Sequence, residues 1–272
     1  MPAAGPHAGH PPPEASMSIS ARIPVARSAA TLEPRWGHAS WVVWIALALP
    51  SLFIGAYALR YLVTGPEGVM QLNAVYEIVG MTGFNDFVAE QMPKFKEHPL
   101  LLYFHAAGMG TALMIGGLQF VPALRRRKPK LHRAIGMIYM PAALIGSLAG
   151  GIFAVTLPAE PGLPAILAIV GVASTTFCFT ALGALRLSQG DYLAHGEWMI
   201  RSYSQTLSGT TLRVMIPLMD HAGLPWHENY LTALWMCWVP NLFVAELLIH
   251  YRRCRREGRG LWAPAPRMPV AA

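Results

Sequence analysis

Residues Leu100–Val121 read LLLYFHAAGMGTALMIGGLQFV, with no Asp, Glu, Lys or Arg among them. At about 1.5 Å per residue, a helix of this length covers the roughly 30 Å of a bilayer's hydrocarbon core. Five comparable runs lie on either side, at about Trp41–Val63, Ala134–Leu157, Pro164–Leu187, Trp198–Met219 and Tyr230–His250. The chain of 272 residues is 54% hydrophobic and only 13% charged, against about 25% charged in an average soluble domain. The reading is an all-α, polytopic membrane helix bundle of about six transmembrane helices, with spans two to five as a four-helix core.

The cations give the orientation. Arg125, Arg126, Arg127, Lys128, Lys130 and Arg133 lie between spans two and three, and Arg252, Arg253, Arg255, Arg256 and Arg259 follow span six. Arg22, Arg27 and Arg35 precede span one, and Arg186 and Arg201 flank the turn between spans four and five. With alternating spans all four groups fall on one side, leaving Arg60, Lys94 and Lys96 on the other. Lys and Arg concentrate in cytoplasmic loops, so both termini are expected in the cytoplasm and the protein in a bacterial inner membrane. Residues 1–35, rich in Pro, Ala, Ser and Arg, read as a disordered cytoplasmic tail without signal-peptide character. Residues 36–251 form the six-span domain, and 252–272 a basic cytoplasmic tail. An outer loop at about 64–99 has room for one or two short amphipathic helices.

The net charge of +7 is accounted for by topology and contact with anionic lipid headgroups, so membrane lipids rather than nucleic acid are the expected partners. Cys178, Cys237 and Cys254 form no CxxC pair. A nucleophile elbow, a Walker loop and a zincin helix are all missing from the sequence. These observations exclude a soluble hydrolase and a nucleic-acid binder.

Ionisable groups inside spans are expensive, about 2.5–3.5 kcal/mol at the centre on the insertion scale, and therefore face protein or water. In span two, His105 lies about 8 Å from the outer end at helical rise, and Gly108, Ala112, Gly116 and Gln119 share its face. In span three, His132 shares a face with Gly136, Tyr139, Ala143, Gly146 and Gly150. Span five is polar throughout, with His195, Ser202, Thr206, Gly209, Arg213 and Asp220 on a face that must point into the bundle. His221 follows at its outer end. Singly, each histidine also fits a satisfied polar group at a helix end, and a small-residue stripe also fits plain helix packing. Together, His105 with His221 at the outer side and His132 with His195 at the inner side have the character of axial imidazoles for bis-histidine haem.

Two motifs carry a resemblance. The first is His105…Gly108…Gly116-Gly117-Leu118-Gln119-Phe120…Arg125…Leu131-His132-Arg133…Gly136…Tyr139. The second is His195-Gly196-Glu197-Trp198-Met199-Ile200-Arg201-Ser202-Tyr203…Leu212-Arg213. Over about Leu100 to Asp220 the chain resembles the bacterial predicted membrane proteins of domain-of-unknown-function family 2306. It departs from them at His195–Met199, where His-Gly-Glu-Trp-Met stands for the family's usual His-Arg-Arg-Trp-Met. By arrangement it is also similar to the haem cores of cytochrome b561 and ferric reductase-like proteins, an analogy of fold alone.

Three functions are open at this point. The first is a b-type cytochrome-like protein passing electrons between a quinol and another redox partner. His105, His221, His132 and His195 would then be haem iron ligands. Arg133, Arg201 and Arg213 would neutralise propionates or bind a quinone headgroup, with Tyr139 and Gln119 beside them. The second is a transporter or binding protein for a small anionic or lipid-like molecule, with Arg213 as anchor and Asn241 and Glu246 across from it. The third is an accessory or assembly subunit docked to a membrane-protein partner.

Overall fold

A computed structural model describes residues 38–68, 84–156 and 162–262. Among the described residues the regular structure is all helix. Ten α-helices follow in order: α1 His38–Thr64, α2 Phe84–Glu97, α3 Pro99–Gly116, α4 Pro122–Arg127, α5 Pro129–Thr156, α6 Leu163–Ser188, α7 Tyr192–Thr206, α8 Ser208–His221, α9 Trp226–Met236 and α10 Val239–Glu257. The expected tail at 1–35, the end of the C-terminal tail and the middle of the outer loop lie outside the described residues.

Among the described residues, five segments are long and apolar enough to cross a membrane: Ser40–Thr64, Pro99–Phe120, Pro129–Thr156, Leu163–Ser188 and Trp226–Glu257. The protein is thus a multi-pass membrane helix bundle. Val42, Phe53, Met137 and Phe243 are exposed on its outside, an apolar surface that suits lipid rather than water.

The remaining expected span, Trp198–Met219, is too polar to count among the five, and its position explains why. It is built from α7 and α8, separated only by Leu207, whose backbone is itself right-handed helical. Its N-terminal end meets α10 where Glu197 pairs with Arg253 and Arg256. Ser202, Gln205 and Thr206 are fully buried within the bundle. Farther out, Thr210 bonds Ser51 of α1, and the Ile216 carbonyl accepts from Asn229 of α9. The polar residues of α7 from Ser202 to Thr206 are therefore enclosed by neighbouring helices, whereas α8 buries only Thr210 and exposes Val214 and Leu218. On either side of Leu207, Thr206 donates to the Ser202 carbonyl at 3.1 Å and Thr211 to the Leu207 carbonyl at 3.2 Å, so these hydroxyls are satisfied within the helix itself.

Boundaries are set by local chemistry. α3, α4 and α5 each open on proline, whose fixed φ and missing N–H suit a first helical turn. Asp191 caps α7 by accepting from the Ala194 amide at 3.0 Å, satisfying a free N-terminal donor. α10 ends at Gly258, left-handed at φ 64°, a conformation that favours glycine. The amphipathic helix expected in the outer loop is α2, held by Phe95 stacked on Phe153 of α5 at 5.7 Å.

Candidate functional site

In hydrocarbon every buried polar group needs a partner inside the protein. α7 meets this demand with a web of hydroxyls. Tyr139 of α5 pairs its hydroxyl with Ser202 at 2.8 Å and Thr206 at 3.1 Å. Ser202 also pairs with Thr180 of α6 at 2.7 Å, and Thr180 donates to the Thr176 carbonyl. One helical turn on, Thr175 donates to Gln205 at 3.2 Å. On the other flank, Asn241 of α10 donates to Thr211 at 3.0 Å and to the Cys237 carbonyl at 2.7 Å. α7 is thereby tied to α5 and α6, and the start of α8 to α10.

The histidines are treated differently by the fold. His195 holds its Nδ1 2.8 Å from the Gly183 carbonyl of α6. A carbonyl only accepts, so Nδ1 carries a proton and Nε2 is the nitrogen left for another partner. His132 lies within electrostatic reach of both His195 and Arg125, and its Nδ1 is buried without a hydrogen-bond partner. Gln119 supports this turn by donating to the His132 carbonyl at 3.1 Å. Space is left beside the pair. A Cβ at Gly136 would meet only the Gln119 amide at 3.8 Å, and one at Gly196 would meet nothing within 4 Å.

The outer pair is not assembled in the same way. His105 sets Nδ1 2.9 Å from the Gly146 carbonyl and lies over Gly150, where a Cβ would come within 2.6 Å of it. Arg213 is its charged neighbour. His221 is exposed at the end of α8 and makes no hydrogen bond among the described residues. Nothing in the network joins His221 to His105. Among the described residues no cluster of three or more His, Cys, Asp or Glu could hold a metal ion.

The arginines also separate. Arg201 grips Glu246 of α10 in a two-pronged pair, Nε to Oε1 at 2.5 Å and Nη2 to Oε2 at 2.9 Å, and stacks 4.6 Å over the Trp198 ring. It is therefore committed to α10, and Glu246 does not reach across to Arg213. Arg213 donates to the Gly209 carbonyl at 2.8 Å and has no carboxylate partner among the described residues. Arg133 is exposed in the first turns of α5.

The small-residue stripes of spans two and three pack on each other. A Cβ on Gly108 would lie 2.5 Å from the Ala142 carbonyl oxygen, and one on Gly116 would lie 2.5 Å from the Tyr203 ring. That part of the groove is filled by helix and leaves no slot for a flat ligand. Sequence reasoning missed Thr176 and Thr180, buried on α6. Their spacing of four residues in an apolar run was the available signal. It also missed Glu197 as a partner for Arg253 and Arg256, which no local pattern announces.

The family model described as "Predicted membrane protein (DUF2306)" matches residues 102–249. This is more than half of the 272 residues, and the chain belongs to that family. The match runs from α3 through most of α10 and so takes in both motifs and every histidine considered above. No curated protein and no solved structure matches the chain.

Proposed function

We propose that this family member is a haem-binding redox protein of the bacterial inner membrane, passing electrons between a quinol and another redox partner. Haem b would be held between His132 of α5 and His195 of α7 at the inner end of the bundle. The observation that carries the reading is the condition of these two rings. One has a buried nitrogen with no partner, the other has a proton fixed on Nδ1 by a helix carbonyl, and they lie within electrostatic reach of each other. A metal-ligating histidine commonly donates its other ring N–H to a carbonyl, which fixes ring and tautomer. Bis-histidine haem b supplies reversible one-electron chemistry.

The chain's own contribution is positioning and charge. Gly183 orients His195, Gln119 braces the turn that carries His132, and Arg125 places positive charge where propionates would need it. The open space at Gly136 and Gly196 supports a flat group at this end, whereas the packed glycines at Gly108 and Gly116 argue against one farther out. The outer pair, His105 with His221, lacks that support.

The test is an oxidised-minus-reduced visible spectrum of the detergent-purified protein expressed with ample haem. The expected result is a sharp reduced α-band with a Soret shift, lost in His132→Ala and in His195→Ala. A flat spectrum from well-folded protein overturns the reading.

A second reading rests on Arg213, a half-buried cation with no carboxylate partner among the described residues. It would anchor the acidic group of a small anionic or lipid-like molecule in a transporter or binding protein, since arginine grips carboxylates in a fork. Thermal stabilisation by small carboxylates that persists in Arg213→Ala would sink it.

A further inference from the structure

The two basic runs at the inner end of the bundle look alike in sequence and differ in structure. In the C-terminal run, Arg253 and Arg256 both donate to Glu197, and Arg259 donates to Glu257. Glu197 and Glu257 thus offset part of that run's charge within the protein. At the elbow between α4 and α5, Arg127, Lys128 and Lys130 are all exposed, and none has an acidic partner among the described residues.

The elbow is held in place. Val121 is extended at ψ 112°, Pro122 starts α4, Lys128 leaves the helical region at ψ 61°, and Pro129 starts α5. The two prolines fix φ at both corners, so three cations are presented on four consecutive residues of restricted backbone. Next to them, Leu131 and Leu118 are exposed apolar side chains on two membrane-crossing segments. Cations directly beside a lipid-facing apolar surface lie at the level of the headgroups, where anionic lipid attracts each Lys or Arg.

We propose that the Arg127-Lys128-Pro129-Lys130 elbow is a docking site for the headgroup of an anionic phospholipid. The phosphodiester meets the guanidinium of Arg127 and the two ammonium groups, and the acyl chains lie along the apolar flank at Leu118 and Leu131. In the C-terminal run, by contrast, Arg253, Arg256 and Arg259 are already engaged by Glu197 and Glu257.

The test is native mass spectrometry of the full-length protein in detergent with added phosphatidylglycerol or phosphatidylcholine. Phosphatidylglycerol is expected to be retained at least about tenfold better, given the attraction of each cation. The preference disappears in Arg127→Gln/Lys128→Gln/Lys130→Gln and survives in Arg127→Lys/Lys128→Arg/Lys130→Arg and in Arg255→Gln. If the neutralised variant does not fold, 0.5 M salt added to the wild type, on the order of a 4 Å screening length, must strip the lipid. Equal retention of the two lipids overturns the proposal. So does retention unchanged by neutralisation or by salt, or displacement by free glycerol phosphate as effective as by the whole lipid.

Discussion

Gly108 and Gly146 bring α3 and α5 together backbone to backbone: a Cβ on Gly108 would lie 2.6 Å from the Cα of Gly146. Small residues that let helices approach this closely replace, in lipid, the hydrophobic drive available in water. Neither helix can retreat without disturbing Tyr139 or His105, which stand on the same two faces.

A methyl group at this crossing is therefore expected to destabilise. Gly108→Ala and Gly146→Ala should each cost about 1–3 kcal/mol, the usual range for overpacking. Gly196→Ala, at a position with nothing within 4 Å of a Cβ, should be neutral or slightly stabilising. Thermal unfolding in detergent separates the two cases, and equal effects at all three positions would contradict the packing described.

Removing the Tyr139 hydroxyl leaves Thr206 without its cross-helix partner and reduces Ser202 to Thr180 alone. Tyr139→Phe should cost about 0.6–1.7 kcal/mol, the span measured for hydrogen bonds between membrane helices. Ser202→Ala in the Tyr139→Phe background should add less than it does alone, because the two groups share one network. Strict additivity in that double-mutant cycle would argue against a shared network.

Glu197 joins α7 to α10 through two arginines. Its side chain is 13% exposed while theirs are 47% and 39% exposed, so solvent screens much of the attraction. Glu197→Gln should lower stability by about 1 kcal/mol and reduce the dependence of unfolding on salt. Glu197→Arg should be worse, because three arginines would then face one another. Adding Arg253→Glu should recover part of the loss.

The histidines should not be equivalent in a haem titration. His221→Ala should leave the spectrum of the loaded protein unchanged, and His132→Ala or His195→Ala should abolish its reduced α-band. His105→Ala, which releases only the Gly146 carbonyl, should appear as a loss of thermal stability of about 1 kcal/mol. A spectrum that depends on His105 and His221 instead would move the ligand set to the outer end.

The Arg201–Glu246 pair gives a geometric test. Arg201→Lys keeps the charge but loses the planar fork that meets both carboxylate oxygens and the stack on Trp198. It should destabilise nearly as much as Arg201→Ala, as read by chemical denaturation in mixed micelles. Full recovery by lysine would mean that charge alone holds α7 to α10.

The sequence by itself determined that this is a membrane helix bundle, because hydropathy over about 20 residues is a local property and the bilayer thickness is fixed. It also determined that the polar face of Trp198–Met219 must turn inward, since lipid offers a hydroxyl no partner. What lies beyond one helix was decided only in three dimensions. The stripes at Gly108 and Gly146 were compatible with a neighbouring helix or a flat ligand, and the choice depended on how closely α3 and α5 approach. The runs Arg125–Lys130 and Arg252–Arg259 read as one topological signal, yet Glu197, more than fifty residues before the second run, engages Arg253 and Arg256, while Arg127, Lys128 and Lys130 have no acidic partner among the described residues. Likewise the four histidines paired by depth in the sequence, and only the fold distinguishes their surroundings: carbonyls of Gly183 and Gly146 at His195 and His105, a buried unpartnered nitrogen at His132 and exposure at His221. Pairing of this kind depends on where the chain returns, a relation between distant segments that no local pattern of residues contains.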